Sequence, residues 1–288
     1  MAQDGCKTPL QLPLNFRLNC VVSVSIIIPT KDRPDGLARA VSSAKTALPD
    51  GGEIIVVDDR CKVPATEVIE EGEGVRLVQN DGMRSGPSAA RNLGVSLARH
   101  PLILFLDDDD EVLPTYPQRI TEVAKLEMGA GYGICARIRR KPGRKDRFVP
   151  RRGRFGYRDT ATPLISRLTG TGGLWVRRDV FLDVGGLDEH LLIHEDVEFC
   201  MRLAKAGIGM FFDDTRGYVV HARAGSSDAE RIMVGAGTED RLASFKRILA
   251  KHGDLLAREA PGLRRKYQLR ILKLRVQIGI QASFGRLR

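Results

Sequence analysis

Three apolar runs in the first 110 residues each end at acidic residues, and this repeated pattern limits the fold more than any other feature. Residues 21–29 (VVSVSIIIP) are β-branched and nearly continuous and lead into Thr30-Lys31-Asp32; residues 53–57 end on Asp58-Asp59; residues 101–106 (PLILFL) end on Asp107-Asp108-Asp109-Asp110. Runs without polar alternation are strands buried on both faces, as in a parallel sheet covered by helices. Helical spacing fills the gaps, with Leu37, Ala40, Val41 and Ala44 after the first run and Ala89, Ala90, Leu93 and Leu97 after Pro87. A short helix over 65–71 and a strand over 75–78 complete a βαβ alternation. Such a sheet holds its ligand beyond the carboxyl ends of its strands, so the three acidic ends are expected to face one crevice.

Beyond residue 114 the pattern is less regular. It predicts a helix over 118–126, a strand over 132–138, and a long loop through 158 broken by Pro142, Gly143, Pro150, Gly153 and Gly156. A strand over 170–176, a short helix over 179–184, a helix over 195–206 ended by Gly207, and a strand over 217–221 follow. A helix over 238–251 and a basic helical tail close the chain.

The 288 residues carry a formal charge of +10, which taken in bulk suggests an anionic partner. Resolved by position, residues 137–158 hold eleven bases and one acid, residues 260–288 hold eight bases and no acid, and the remainder is net acidic. The chain reads as an acidic body with two basic appendages. Five scattered cysteines (Cys6, Cys20, Cys61, Cys135, Cys200) form no C-x-x-C pair and read as packed thiols of a cytosolic protein. No apolar run approaches a membrane span, and the first twenty residues lack the pattern of a secretory signal.

Two constellations suggest chemistry. Carboxylates at a strand end are the usual partial ligand set for a divalent cation that neutralises a diphosphate leaving group, completed by phosphate oxygens and water. Charge runs are commonly solvated helix caps, but the placement of this one beside Asp58-Asp59 favours the functional reading. Glu195-Asp196 stands at a helix start, where the dipole favours an ionised carboxylate fit to act as a general base, or as a simple N-cap. His221 ends a strand as a third metal ligand or as a structural histidine. No phosphate-binding P-loop is present, Gly129–Gly133 follows a helical stretch rather than a strand, and Ser226-Ser227 shows no nucleophile elbow.

Five segments in order, VSIIIPTKDR (24–33), IIVVDD (54–59), AARNLG (89–94), ILFLDDDDEVLP (103–114) and the stretch 172–203 containing HEDVEF, resemble the family 2 glycosyltransferases. The resemblance covers residues 22–222. It implies an α/β fold of GT-A type: a Rossmann-like, mostly parallel sheet flanked by helices, a mixed-sheet acceptor half and C-terminal helices. It also implies metal-dependent, inverting transfer of a sugar from a nucleotide donor. By the same resemblance, Pro29 and Lys31 line the nucleoside pocket and Asp59 meets the base, commonly uracil. Arg91 stands beside the nucleotide and Asp108 near the ribose. Asp107 and Asp109 form the D-x-D motif holding Mn²⁺ or Mg²⁺, and Asp109 is the more direct ligand. Asp196 is the general base of the E-D motif with Glu195 beside it, and Gly172 and Gly173 let backbone approach the donor sugar. Three positions depart from the pattern: Asp32 replaces Asn, Arg60-Cys61 replaces Gly-Ser, and His194 replaces a small residue.

The expected organisation is a leader (1–20), a catalytic domain (21–225) with a nucleotide-binding half (21–114) and an acceptor half (115–225), and a C-terminal extension (226–288). The expected partners are a nucleotide-sugar donor and a saccharide or lipid-linked acceptor, in the cytoplasm or on the inner face of a membrane. Two other readings are weaker. A nucleotidyltransferase would leave Glu195-Asp196 without a task. A nucleic-acid binder would have only Phe148, Phe155 and Tyr157 for stacking among its bases, so no nucleic acid is expected. The tail reads equally as an interfacial helix on anionic lipid or as a helix packed on the catalytic domain.

Overall fold

The computed structural model describes residues 23–126, 129–149, 154–155, 171–221 and 236–285. In chain order the elements are β1 (Val24–Thr30), α1 (Pro34–Ala47), β2 (Glu53–Asp58), β3 (Val75–Gln79), α2 (Pro87–Leu97), β4 (Leu102–Phe105), β5 (Glu111–Val112), α3 (Tyr116–Leu126) and β6 (Ala130–Arg140). They continue with β7 (Arg147–Val149), β8 (Arg154–Phe155), β9 (Leu174–Arg177), α4 (Arg178–Asp183), α5 (Glu195–Lys205), β10 (Gly209–His221), α6 (Thr238–Glu259) and α7 (Pro261–Gly285).

One sheet runs β3-β2-β1-β4-β9-β6-β10-β5. The first four strands are mutually parallel, as their unbroken apolar runs require. β9 lies antiparallel to both β4 and β6, which makes the second half mixed. Side chains of β1 alternate across the sheet. Ile26 and Ile28 join the core beneath α1 and α3, and Ile27 joins the core beneath α2, α4 and α5. A third core joins Leu191, Ile193, Val197 and Met201 to Phe245, Ile248, Leu255, Leu256 and Tyr267, so the C-terminal helices pack on α5.

Several expected elements changed. The basic segment is not one long loop: β6 continues to Arg140, and β7 returns antiparallel to it. Lys141-Pro142-Gly143-Arg144 makes the turn, with Gly143 at φ 69° and the Arg144 N–H donating to the Lys141 carbonyl. Pro followed by a left-handed Gly is the signature of a type II turn, which here closes a hairpin instead of opening a loop. The Arg140–Asp146 ion pair at 3.0 Å ties its base. The helix expected over 65–71 is a single 3₁₀ turn, Ala65–Glu67, the strand ending at His221 begins at Gly209, and the helix from Thr238 runs to Glu259. The leader and residues 156–170 and 222–235 lie outside the described residues.

Helix α1 approaches the end of β4 so closely that a Cβ on Gly36 would lie 2.6 Å from the Asp108 carbonyl oxygen. Helix propensity favours Ala over Gly by about 1 kcal/mol. The clash is with backbone, which cannot swing away, and overpacking costs about 1–3 kcal/mol. Gly36→Ala is therefore expected to lower unfolding free energy by about 1 kcal/mol in urea titrations. A gain in stability would show that the approach is looser than described.

Candidate active site

Hydrogen bonds beyond the strand ends align the acidic termini. The N–H of Asp59 donates to the Thr30 carbonyl, that of Asn80 to Asp58, and that of Leu106 to Ile27. Asp58 and Asp59 then divide their work. Asp58 accepts from the N–H groups of Cys61 and Ala65 and shapes the loop after β2. Asp59, 3% exposed, accepts from Asn80 Nδ2 at 2.6 Å and from the Gly86 N–H at 2.7 Å. Lys31 Nζ lies 3.6 Å from the same carboxylate. Pro29 is buried within β1. The Cys61 thiol, partly buried, is pushed up to about 11, chiefly by burial, and is no ready nucleophile.

The run after β4 alternates in direction. Asp107 and Asp109 keep side-chain exposures of 30% and 21%, whereas Asp108 and Asp110 are 4% exposed. Asp108 was expected near the ribose, but it turns inward. Its oxygens accept from Thr30 Oγ1 at 2.9 Å and Arg33 Nη1 at 2.8 Å, and burial pushes its carboxyl above the usual range against the pull of Arg33. Asp110 accepts from the His221 N–H. The outward pair faces Arg91, whose Nη2 is 2.6 Å from Asp107, and Arg33, whose Nη1 is 3.2 Å from Asp109. A Cβ on Gly172 would lie 3.2 Å from Asp107 Oδ2, so the glycine backbone passes close beside that carboxylate. Gly173, at φ 75°, packs against the Tyr218 ring and accepts a bond from Tyr116 through its carbonyl.

His221 does not join this pair. Its Nε2 is hydrogen-bonded to Glu111, a carboxylate that Arg140 and Arg39 also approach. Among the described residues no group of three or more His, Cys, Asp or Glu side chains is placed to hold a metal. Asp107 and Asp109 remain, a pair that suits a cation whose other ligands come from diphosphate and water.

Glu195 and Asp196 open α5. Arg91, 6% exposed in its side chain, reaches from Asp107 to Glu195 Oε1 at 3.6 Å. Burial, then repulsion from Asp196, pushes the Glu195 carboxyl up to about 7. Just before them, His194 packs against Phe245 at 5.3 Å and Tyr267 at 5.5 Å between ring centroids, and Tyr267 Oη hydrogen-bonds its Nδ1 at 3.1 Å. Burial holds the imidazole below its usual pKa; Asp196 pulls it up, while Arg270 and Lys266 push it down. One turn along α5, Glu198 is fully buried beneath His252, Arg202 and Lys251. Burial alone would raise its pKa, but the bonds from His252 and Arg202 hold it down at about 2. Thus α6 and α7 lock the helix that carries the E-D motif.

Among the described residues, the non-glycine residues with left-handed backbone are Asp32, Arg60 and His194, at φ 53°, 63° and 61°. They follow β1, follow β2 and precede α5, and all three border the crevice. Such conformations cost about 1–2 kcal/mol each and persist where the surroundings hold them. Asp32 Oδ1 accepts from the Lys62 N–H, and Arg60 bonds the carbonyls of Asn80 and Gly82.

A family model for glycosyl transferase family 2 matches residues 25–185, more than half of the chain. The chain belongs to glycosyl transferase family 2. It is a glycosyltransferase of GT-A fold: S. aureus TarS (1–349) with UDP-GlcNAc superposes with a TM-score of 0.64 at 18% identity, over 88% of this chain and 72% of that one. Succinoglycan biosynthesis protein ExoU of Rhizobium meliloti is 26% identical over 91% of this chain and 82% of its own length. The Campylobacter jejuni GalNAc(5)-diNAcBac-PP-undecaprenol beta-1,3-glucosyltransferase is 31% identical over 39% of this chain and 38% of its own. The pre-mycofactocin glycosyltransferase of Mycobacterium tuberculosis is 25% identical over 66% of this chain, and the match spans 41% of that relative.

The structure brings Asp59, Lys31, Arg91, Asp107, Asp109, Gly172 and Glu195 to one crevice and turns Asp108 and His221 away from it. Sequence reading missed Arg33, Asn80, Phe245 and Tyr267. Arg33 and Asn80 follow strand ends and were findable by position. The two aromatics carry no local signal of their role.

Glu195 gives a pH prediction. Its folded pKa, about 7, lies above the ordinary 4.5. A carboxyl raised on folding contributes stability present below the unfolded value and lost as pH rises through the folded one. The stability of Glu195→Gln relative to the parent should therefore rise between pH 4.5 and about 7 and level off above that in urea titrations. A constant difference across that range would mean that Glu195 is not shifted.

Proposed function

We propose that the protein is an inverting, metal-dependent glycosyltransferase. It would move a sugar from a nucleoside diphosphate, UDP in the first instance, to a hydroxyl of a saccharide or lipid-linked acceptor in surface polysaccharide or glycoconjugate synthesis. The observation that carries the reading is the Asp107–Arg91–Glu195 bridge, which sets a carboxylate pair suited to a diphosphate-bound cation beside the carboxylate pair of the E-D motif. The names of ExoU and the Campylobacter enzyme support polysaccharide or lipid-diphosphate acceptors, and the TarS complex supports a UDP-sugar.

In this reading residues 21–114 hold the nucleotide and residues 115–225 face the acceptor, with 226–288 as an extension, at the inner face of a membrane. Among the described residues no helix is long and apolar enough to cross one. Lys31 and Asp59 meet the nucleoside, and Gly172 and Gly173 meet the sugar. Asp109 and Asp107 would hold Mn²⁺ or Mg²⁺, which when bound supplies Lewis-acid stabilisation of the departing diphosphate. Asp196 takes the proton of the acceptor hydroxyl, and the hydroxyl oxygen bonds the anomeric carbon from the face opposite the leaving group. The bond from that carbon to the diphosphate oxygen breaks, and its electron pair leaves on the nucleotide. Glu195, paired with Arg91, holds the start of α5, and with it the base, at the donor side.

Purified protein with manganese should show a raised melting temperature or slow hydrolysis with at least one of UDP-, GDP- and dTDP-sugars. No response to any would overturn the reading. Asp196→Asn should lower transfer by about 10²–10⁴-fold while donor affinity stays within about twofold. Transfer at the parental rate would remove Asp196 as the base and return the role to Glu195.

A further inference from the structure

Helix α7 carries apolar residues on two opposite sides. Leu263, Tyr267, Ile271 and Leu274 face the third core. At about 100° per residue, Leu269, Leu272, Val276 and Ile280 fall on the far side. They are 50%, 58%, 55% and 52% exposed. Spaced i, i+3, i+7, i+11, they form a continuous stripe, which is more than scattered surface apolarity. Lys266 and Lys273 lie along one edge of this stripe and Arg264 and Arg275 along the other. On the lysine side a groove of about 590 Å³ opens between α6 and α7, lined by Arg241, Arg265, Lys266, Arg270 and Lys273 with Phe245 at its base and no carboxylate.

We propose that this outward face of α7, with the basic groove beside it, docks on an anionic lipid bilayer: the stripe enters the acyl boundary and lipid phosphates enter the groove. Several observations favour this occupant. An apolar stripe edged by long cations suits an interface, because lysine and arginine stems lie along apolar surface while their heads reach phosphate. A second copy of the chain is disfavoured, since residues 260–288 carry eight bases and no acid, and pairing the stripes would set like charges together. A nucleic acid would use the bases but gives the stripe nothing to cover it. The groove floor also connects to the chemistry: Phe245 packs on His194, the residue before Glu195-Asp196, and Arg270 stands over the Phe245 ring at 5.8 Å. Docking would therefore set the E-D motif one helix thickness, roughly 10 Å, from the bilayer surface. This deepens the lipid-linked acceptor reading, but it is tested by binding and not by transfer.

The test is co-sedimentation of the full chain with vesicles of phosphatidylcholine alone or with about a quarter phosphatidylglycerol, at about 0.1 M salt. Removing α7 would also remove Tyr267 from the third core, so point variants are used. The triple variant Leu272→Ser, Val276→Ser, Ile280→Ser changes only half-exposed side chains. It should keep the parental melting temperature and donor-induced stabilisation while binding anionic vesicles at least about tenfold more weakly. Lys266→Glu with Lys273→Glu should also weaken binding and flatten its salt dependence; it carries the test if the triple variant fails to fold. The proposal is overturned if the full chain ignores anionic vesicles while still responding to a nucleotide sugar. It is equally overturned if both variants bind like the parent, if the chain binds RNA but not vesicles, or if it is a dimer without lipid that the triple variant converts to monomer.

Discussion

The arrangement depends on Arg91. Its guanidinium, almost fully buried, lies 2.6 Å from Asp107 at the end of β4 and 3.6 Å from Glu195 at the start of α5. Two acidic corners that would otherwise repel are joined through one cation. Removing the arginine would leave both carboxylates without their cation, a larger loss than breaking an exposed surface pair. Arg33 serves the same end at Asp108 and Asp109. The bridge also couples α2, which carries Arg91, to α5, which carries Glu195 and is locked in place by the C-terminal pair.

Much of the first half was legible because its signals are local. Unbroken apolar runs required buried parallel strands, and their acidic ends fell at one edge, as the topology demands. Which carboxylate faces the crevice was not legible. Asp107 through Asp110 are chemically identical, and only the neighbours Thr30, Arg33 and His221 decide that the even-numbered pair turns inward. Local statistics misled at residues 137–158, where Pro142 and Gly143 signalled a loop and instead form the turn of a hairpin. For α7 the packed reading of the tail held, since one apolar stripe joins the third core, while the opposite stripe is exposed.

The departures from the family pattern coincide with backbone strain. Asp32, Arg60 and His194 stand where the resemblance carries Asn, Gly and a small residue, and all three are left-handed. A glycine would adopt φ 63° freely, whereas Arg60 does so while its guanidinium fastens the Asn80–Gly82 loop to the end of β2. His194 is held in the same conformation beneath Phe245 and Tyr267. Backbone freedom has been exchanged for side-chain contacts that brace the crevice, a bracing that no single segment announces.

As proposed, the outward carboxylates of the Asp107–Asp110 run would hold a cation for the diphosphate of a nucleotide sugar. Crystals of the full chain grown with Mn²⁺ and UDP test it most directly, through the anomalous signal of manganese. One strong peak is expected within coordination distance of an Asp109 or Asp107 oxygen and of the diphosphate. Manganese bound at Asp108, at His221 or elsewhere, or UDP bound in the crevice with no cation beside those two carboxylates, would contradict it.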